Sequence, residues 1–298
     1  MDHVRAAYVF SDLSHFLSLY YQGCSVLRTA RDFAELTLAY LRRAAADGVV
    51  RAEIFFSPQR SLELGVPLEV QFGGMFDAFD EARETLGIDA ALLLDAQRHR
   101  TERDALELLD AAEPWLDRIV GVGLGGAEVG NPPERFAGYF AEARDRDLRL
   151  CCHAGEEGPA DYVRQAIEVC GVDRVDHGVH VLDDPSVTAA AVASGVSFTV
   201  CPVSNVRLRV VPSLREHPIR RMIEAGLTVS VHSDDPSFFG GYIGDVVAAL
   251  SRELGFDDQE VVALARASLE SSFAARERVE EWVQQLEATA RLAGTNRR

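Results

Sequence analysis

Ile119-Val120-Gly121-Val122-Gly123-Leu124-Gly125 alternates strictly: Val120, Val122 and Leu124 fall on one face, glycines on the other. A period of two is the signature of a strand. It also sorts bulk, because the large apolar side chains can pack on helices while the small face leaves room inside. The same sorting recurs downstream. In Val196–Cys201, Val196, Phe198 and Val200 oppose Ser197, Thr199 and Cys201. In the stretch beginning at Leu227, the residues Leu227, Val229 and Val231 oppose Thr228, Ser230, His232 and Asp234. A doubly wound open sheet would bury both faces with bulky residues, and no GxGxxG follows a strand here.

Working outward, the strand pattern repeats at Val49–Phe56, Asp89–Asp95, Leu148–His153 and Val172–His177. Helical segments such as Glu134–Arg146, Ala160–Val169 and Pro218–Ala225 separate the strands. Repeated βα units with one small inner face predict an α/β fold, a TIM-type (β/α)8 barrel. Seven such units are visible where eight are expected. The N-terminal stretch reads as helical over Ser14–Tyr21 and Ala34–Ala46, and everything after Gly244 is helical as well. The expectation is a single barrel domain over residues 1–298, incomplete at its N-terminus, whose first strand would precede Met1.

Composition narrows the functions. The chain has 298 residues, 47% hydrophobic, and a formal net charge of -17. That charge disfavours nucleic-acid backbone and anionic membrane as partners. The sequence holds no lysine, so its basic residues are all arginine. Schiff-base aldolases, lysine-anchored pyridoxal enzymes, Walker-A loops and metal sites bridged by a carboxylated lysine are thereby excluded. Five cysteines without a CxxC pair indicate neither a disulfide framework nor a zinc ribbon. With no signal-like N-terminus and no apolar run of transmembrane length, the expected location is the cytoplasm.

The chemistry concentrates where strands end, the place barrels keep their active sites. His153 and Glu156 stand in His153-Ala154-Gly155-Glu156, His177 in Asp176-His177-Gly178, and Asp234 and Asp235 in Ser233-Asp234-Asp235-Pro236. Imidazoles and carboxylates from separate strands converge on one rim, the pattern of a metal and acid–base site. A divalent ion held by His and Asp lowers the pKa of its water from about 15.7 to about 7. Glu156 could then give a proton to a substrate nitrogen, and His177 could orient the water or stabilise charge. Asp235 is expected to point away from Asp234, by strand alternation, and to contact substrate. Cys151 reads as a small barrel filler and Arg276–Glu287 as a solvated helix face. Phe16, Tyr20 and Tyr21 read as core packing rather than a lid.

These motifs, with Cys201-Pro202-Val203-Ser204-Asn205 and the order and spacing of all four, resemble the adenosine/adenine deaminase family of metal-dependent aminohydrolases. The resemblance runs over the whole chain from Phe10-Ser11-Asp12-Leu13, and Asp234–Tyr242 is most similar to the adenine deaminase branch. It implies one Zn²⁺ per chain with His153 and Asp234 as ligands and Glu156 as proton donor to the purine ring. It further implies His177 assisting the hydrolytic water and Asp235 on the purine's imidazole edge. Three departures stand out. The family's His-x-His strand has no counterpart, because the early histidines His3 and His15 are isolated; zinc binding by the chain as given is therefore expected to be weak. Gly126 stands where the adenine branch usually has a Ser and resembles the glycine that meets the purine in adenosine deaminases. His232 replaces a usual Asn and is read as a buried, hydrogen-bonded histidine, with a substitute ligand as the alternative.

The expected activity is zinc-dependent hydrolytic deamination of a 6-aminopurine, adenine first. Adenosine or another 6-aminopurine nucleoside such as aminodeoxyfutalosine is the alternative. A non-catalytic, metal-poor purine-binding remnant is the alternative of another class. The expected partner is the small-molecule purine, with room left for a homo-oligomer.

Overall fold

The structure is a computed structural model that describes residues 8–296; His3 lies outside the described residues. Seven strands form one parallel sheet in chain order. They are β1 (Arg51–Phe56), β2 (Asp89–Gln97), β3 (Ile119–Gly125), β4 (Arg149–Ala154), β5 (Arg174–His177), β6 (Ser197–Val200) and β7 (Thr228–Val231). Among the described residues, β1 and β7 are the sheet's two ends. All seven expected strands are present. Several begin one or two residues later than apolar periodicity suggests. Leu148, Val172, Val196 and Leu227 are buried just ahead of their strands. Hydrophobicity records burial, not ladder pairing, so the pattern runs past the first hydrogen bond.

The two faces separate as the alternation requires. Leu92, Leu94, Val122, Leu124, Leu150, Val175, Phe198 and Val229 share one apolar cluster with Phe72, Phe76, Tyr139, Phe140 and Val163 from the helices. The opposite face is polar and enclosed. A Cβ at Gly123 would lie 2.7 Å from Phe55 Cε1 and 2.8 Å from Asp95 Oδ1, and one at Gly125 would lie 2.7 Å from Asp95 Oδ2. Gly123 and Gly125 thus admit side chains of β1 and β2, while Gly121 admits the main chain of β4, with a Cβ there 2.4 Å from Arg149 O.

Charged groups close the barrel's lower interior. Arg174 Nη1 donates to Glu53 Oε2 at 2.7 Å, and Phe273 N donates to Glu53 Oε1 at 2.6 Å. The Arg174 guanidinium also lies over the Phe273 ring, 4.2 Å from its centre. Such buried ions hold only because each is paired.

The N-terminal part is helical at Leu13–Gly23 and Ala30–Ala46. The second helix starts with a capping box between Thr29 and Asp32 and buries Phe33, Leu38 and Leu41. The first helix forms a separate apolar cluster: Phe10, Leu13 and Phe16 meet Leu208 and Phe239. Arg276–Asn296 is a helix with i,i+3 and i,i+4 pairs such as Arg276–Glu280 and Arg278–Glu281, and it buries Trp282. Among the described residues no helix is long and apolar enough to cross a membrane.

Candidate active site

The strand ends bring the expected residues together. His153 is the penultimate residue of β4, and His177 is the last of β5. Their rings are 5.1 Å apart, centre to centre. His177 Nδ1 lies 3.4 Å from Glu156 Oε1, and its Nε2 lies 3.9 Å from Asp234 Oδ2. His177 and Asp234 both take positive φ, 63° and 56°. At His177 the left-handed residue ends β5, and at Asp234 it turns the chain three residues after β7; such strain is characteristic of functional positions.

β7 ends at Val231 and Asp234 takes a left-handed conformation, so strand alternation does not set the direction of Asp235. Burial first, and Asp234 second, hold Asp235 above the ordinary carboxylate range. Glu156, 3% exposed, is pushed up to about 8, chiefly by burial. A carboxyl that keeps its proton at neutral pH is a donor. His153 is held below its ordinary value by burial and by His177, which leaves a neutral imidazole. Burial lowers His177, but the acids around it, Glu156, Asp234 and Asp176, carry the net shift upward.

A relay behind His177 sets its orientation. Ile219 N donates to His217 Nδ1 at 3.1 Å, so the neutral His217 ring carries its proton on Nε2. That Nε2 lies 3.2 Å from Asn205 Oδ1, and Asn205 Nδ2 lies 3.3 Å from His177 Nδ1. Asn205 Nδ2 also reaches Glu156 Oε1 at 3.5 Å. In the neutral His177 ring the accepting Nδ1 leaves the proton on Nε2, facing Asp234.

The residues present suit a divalent cation. His177, Cys201 and Asp234 place ligand atoms within 4.8 Å of one another. His153 Nδ1 and Asp176 Oδ2 are buried without a hydrogen-bond partner and lie 3.7 Å apart. Cys201 is the weakest donor of the group, since burial and Asp234 raise its thiol well above the ordinary range and a metal needs the thiolate. His177 spends Nδ1 on the relay. His153, whose buried Nδ1 has no hydrogen-bond partner, lies outside that cluster of ligand atoms.

His232 donates to or accepts from Ser230 Oγ at 2.8 Å and lies outside the clustered ligand atoms. Cys151 is fully buried, with Sγ 3.4 Å from Val122 O. Gly126, φ 95°, is at the rim; a Cβ there would sit 3.4 Å from His99 Nδ1 and 3.6 Å from the Tyr21 hydroxyl. Phe16 packs in the second apolar cluster, as expected. Tyr21 has a second setting. Leu13 N donates to Glu157 Oε1 at 3.1 Å and the Tyr21 ring lies 6.0 Å from that of His99, so the helix Leu13–Gly23 packs over the loops that follow β4 and β2.

Four positioning groups had no reading from sequence: Glu128, Arg98, Asn205 and His217. Asn205 stands in the Cys201–Asn205 motif without a role of its own, and His217 could have been found only as a polar residue before Pro218. Glu128 and Arg98 bind main-chain atoms, which no sequence pattern reports.

A parallel α/β barrel sheet with imidazoles and acids at its C-terminal rim defines a hydrolase of the barrel class. The chain belongs to the adenosine deaminase family, whose profile, described as "Adenosine deaminase", matches residues 1–289. It is 46% identical over 284 residues to an adenine deaminase of Rhodopseudomonas palustris (strain BisB18), covering 95% of this chain and 83% of that protein. The crystal structure of an adenine deaminase from Arthrobacter aurescens superposes with a TM-score of 0.95 at 42% identity, over 97% of this chain and 89% of that one. An amidohydrolase from Burkhoderia ambifaria, solved with bound Zn, superposes with a TM-score of 0.86 at 26% identity, over 91% of this chain and 76% of that one. The family is metal-dependent.

Proposed function

We propose that the chain catalyses hydrolytic deamination of adenine, adenine plus water giving hypoxanthine plus ammonia. The observation that carries this is the buried, proton-holding Glu156 set against His177 and Asp234 at the rim. His153 and Asp234 would hold Zn²⁺, whose usual donors are imidazole and carboxylate. Bound there, the cation would supply the Lewis acidity that makes water nucleophilic near neutral pH.

The chain's own residues account for the remaining requirements. Attack at C6 needs the ring to accept electron density, and Glu156 supplies the proton to the adjacent ring nitrogen. His177 Nε2 faces the same space and orients the attacking water. Asp235, protonated by burial beside Asp234, offers a donor to the acceptor nitrogen of the imidazole edge. Gly126 leaves the purine edge room beside Tyr21 and His99. Names of the relatives at 46% and 42% identity support adenine as the substrate. The five free thiols suit a cytoplasmic enzyme of purine metabolism.

Phe238 and Phe239 bear on the choice between base and nucleoside less directly than their sequence position suggests. Phe239 is 1% exposed, and Phe238 packs on Tyr8, Phe16 and Tyr20. Both hold the helix Leu13–Gly23 across the rim, which restricts space for a ribose. The test compares kcat/KM for adenine and adenosine, with ammonia as the readout, before and after chelation and Zn²⁺ return. Adenine is expected to be preferred, and activity to follow the metal. A value ten-fold higher for adenosine overturns the substrate, and chelator-resistant turnover overturns the metal.

A further inference from the structure

The loop that carries Glu156 is held by an unusual arrangement. Glu128, 1% exposed, lies in the loop after β3. Its Oε1 accepts from Gly155 N at 2.6 Å. Its Oε2 accepts from Glu156 N at 3.0 Å, Glu157 N at 2.7 Å and Gly158 N at 2.8 Å. Consecutive main-chain N–H groups that converge in this way form an anion-binding nest, and the start of the helix Ala160–Glu168 adds its dipole. Here the anion is the protein's own carboxylate. Gly158 is required for this packing, because a Cβ there would lie 2.7 Å from Glu128 Oε1.

The other side of the turn is fixed by a second buried charge. Arg98 Nη1 donates to the carbonyl of His153 at 2.5 Å, and its Nε donates to the carbonyl of Asn131 at 2.9 Å. Asn131 N in turn donates to the Glu128 carbonyl at 3.0 Å. The segment from His153 to Gly158 is therefore gripped at its carbonyl end by β2's loop and at its N–H groups by β3's loop. Both Glu128 oxygens are thereby taken up by main-chain N–H groups.

We propose that Glu128 is a positioning residue for the reaction, holding the Glu156 carboxyl at the purine ring by binding the main-chain N–H groups of Gly155, Glu156, Glu157 and Gly158. The proposal rests on the reading of Glu156 as proton donor. Four N–H groups need two acceptor oxygens. Glu128→Gln turns one oxygen into an NH₂ that faces donors, so at least one bond becomes a repulsion and the loop must shift. A misplacement of about 1 Å at a reacting group costs about 10²-fold in rate. Glu128→Asp keeps both oxygens and the charge on a shorter stem.

The experiment uses the full chain with its metal. Glu128→Gln is expected to lower kcat for adenine about 10²-fold with metal content unchanged. Glu128→Asp should recover at least about ten-fold of that loss. The double variant Glu128→Gln/Glu156→Gln should be no slower than Glu156→Gln alone, because positioning is worthless without the group positioned. Hydrogen exchange supplies a readout independent of substrate. The amides of residues 155–158 should exchange at least about ten-fold faster in Glu128→Gln, while β4 stays protected. Multiplicative losses in the double variant, wild-type kcat in Glu128→Gln, or unchanged exchange at 155–158 overturns the proposal. If Glu128→Gln does not fold, the Glu128→Asp and Glu128→Asp/Glu156→Gln pair decides by the same criteria. A wild-type enzyme that leaves adenine untouched while exchange changes as expected sinks the adenine reading and leaves the loop-holding intact.

Discussion

Glu156→Gln should make this enzyme nearly inactive and, above neutral pH, more stable. The carboxyl is 3% exposed and keeps its proton up to about pH 8, against an ordinary value of 4.5. The folded chain therefore holds a proton that the unfolded chain has released. Stability falls as pH rises through that window, by about 1.4 kcal/mol per unit. Between pH 6 and pH 8 the wild type should lose roughly 2–3 kcal/mol through this one group, a loss the neutral amide does not suffer. At about 2–4 °C per kcal/mol, the Tm of the variant should gain roughly 4–12 °C on the wild type over that interval. The amide can still accept from Asn205 Nδ2, and the main-chain N–H stays on Glu128, so the loop is undisturbed. What disappears is the proton donor. A lost general acid costs about 10²–10⁴ in kcat, about 2.7–5.5 kcal/mol of transition-state stabilisation. Thermal melts at pH 6 and pH 8, steady-state rates and elemental analysis test the pair of effects. Loss of metal would make Glu156 a ligand. A rate within ten-fold of wild type, or melts that shift in parallel with pH, would refute the assignment.

Asp95, buried on β2 and pushed up to about 7 mainly by burial, calls for the same reasoning away from the proton donor. Asp95→Asn should gain about 2 kcal/mol on the wild type between pH 5 and pH 7, since only the wild type must keep a proton that its unfolded chain gives up. Ser57 Oγ can still donate to the amide oxygen; denaturation at the two pH values checks this, and an equal pH dependence in both proteins refutes it. Gly178→Ala should destabilise by roughly 2–5 kcal/mol, because φ is 64° and the added Cβ would lie 2.3 Å from Phe198 Cδ1 in the core. An unchanged Tm would show that the Phe198 ring can move aside.

Much of the fold was legible because strand faces obey a local rule. The alternation of Ile119–Gly125 separated helix-facing bulk from inward space without any knowledge of neighbours, and the structure follows it from Gly121 to Gly125; at the start of β3 the register shifts, and Ile119 rather than Val120 joins the helix-facing cluster. The rim residues His153, Glu156, His177 and Asp234 were legible too, because a strand end is a position in sequence and their residue types carry their chemistry. The same rule does not reach Asp235, since the strand stops at Val231 and Asp234 enters the left-handed region. Gly123 and Gly125 could be read as small but not as necessary, for Asp95 and Phe55 reach them from other strands. Tertiary structure alone decided the supports. Glu128 and Arg98 act on main-chain N–H and carbonyl groups that every residue carries, so nothing in the sequence marks their targets. The order of protons from Ile219 N through His217 and Asn205 to His177 likewise exists only once segments 28 residues apart are brought within hydrogen-bond distance. Residue type announces which chemistry is available, and packing of distant loops determines where each proton is held.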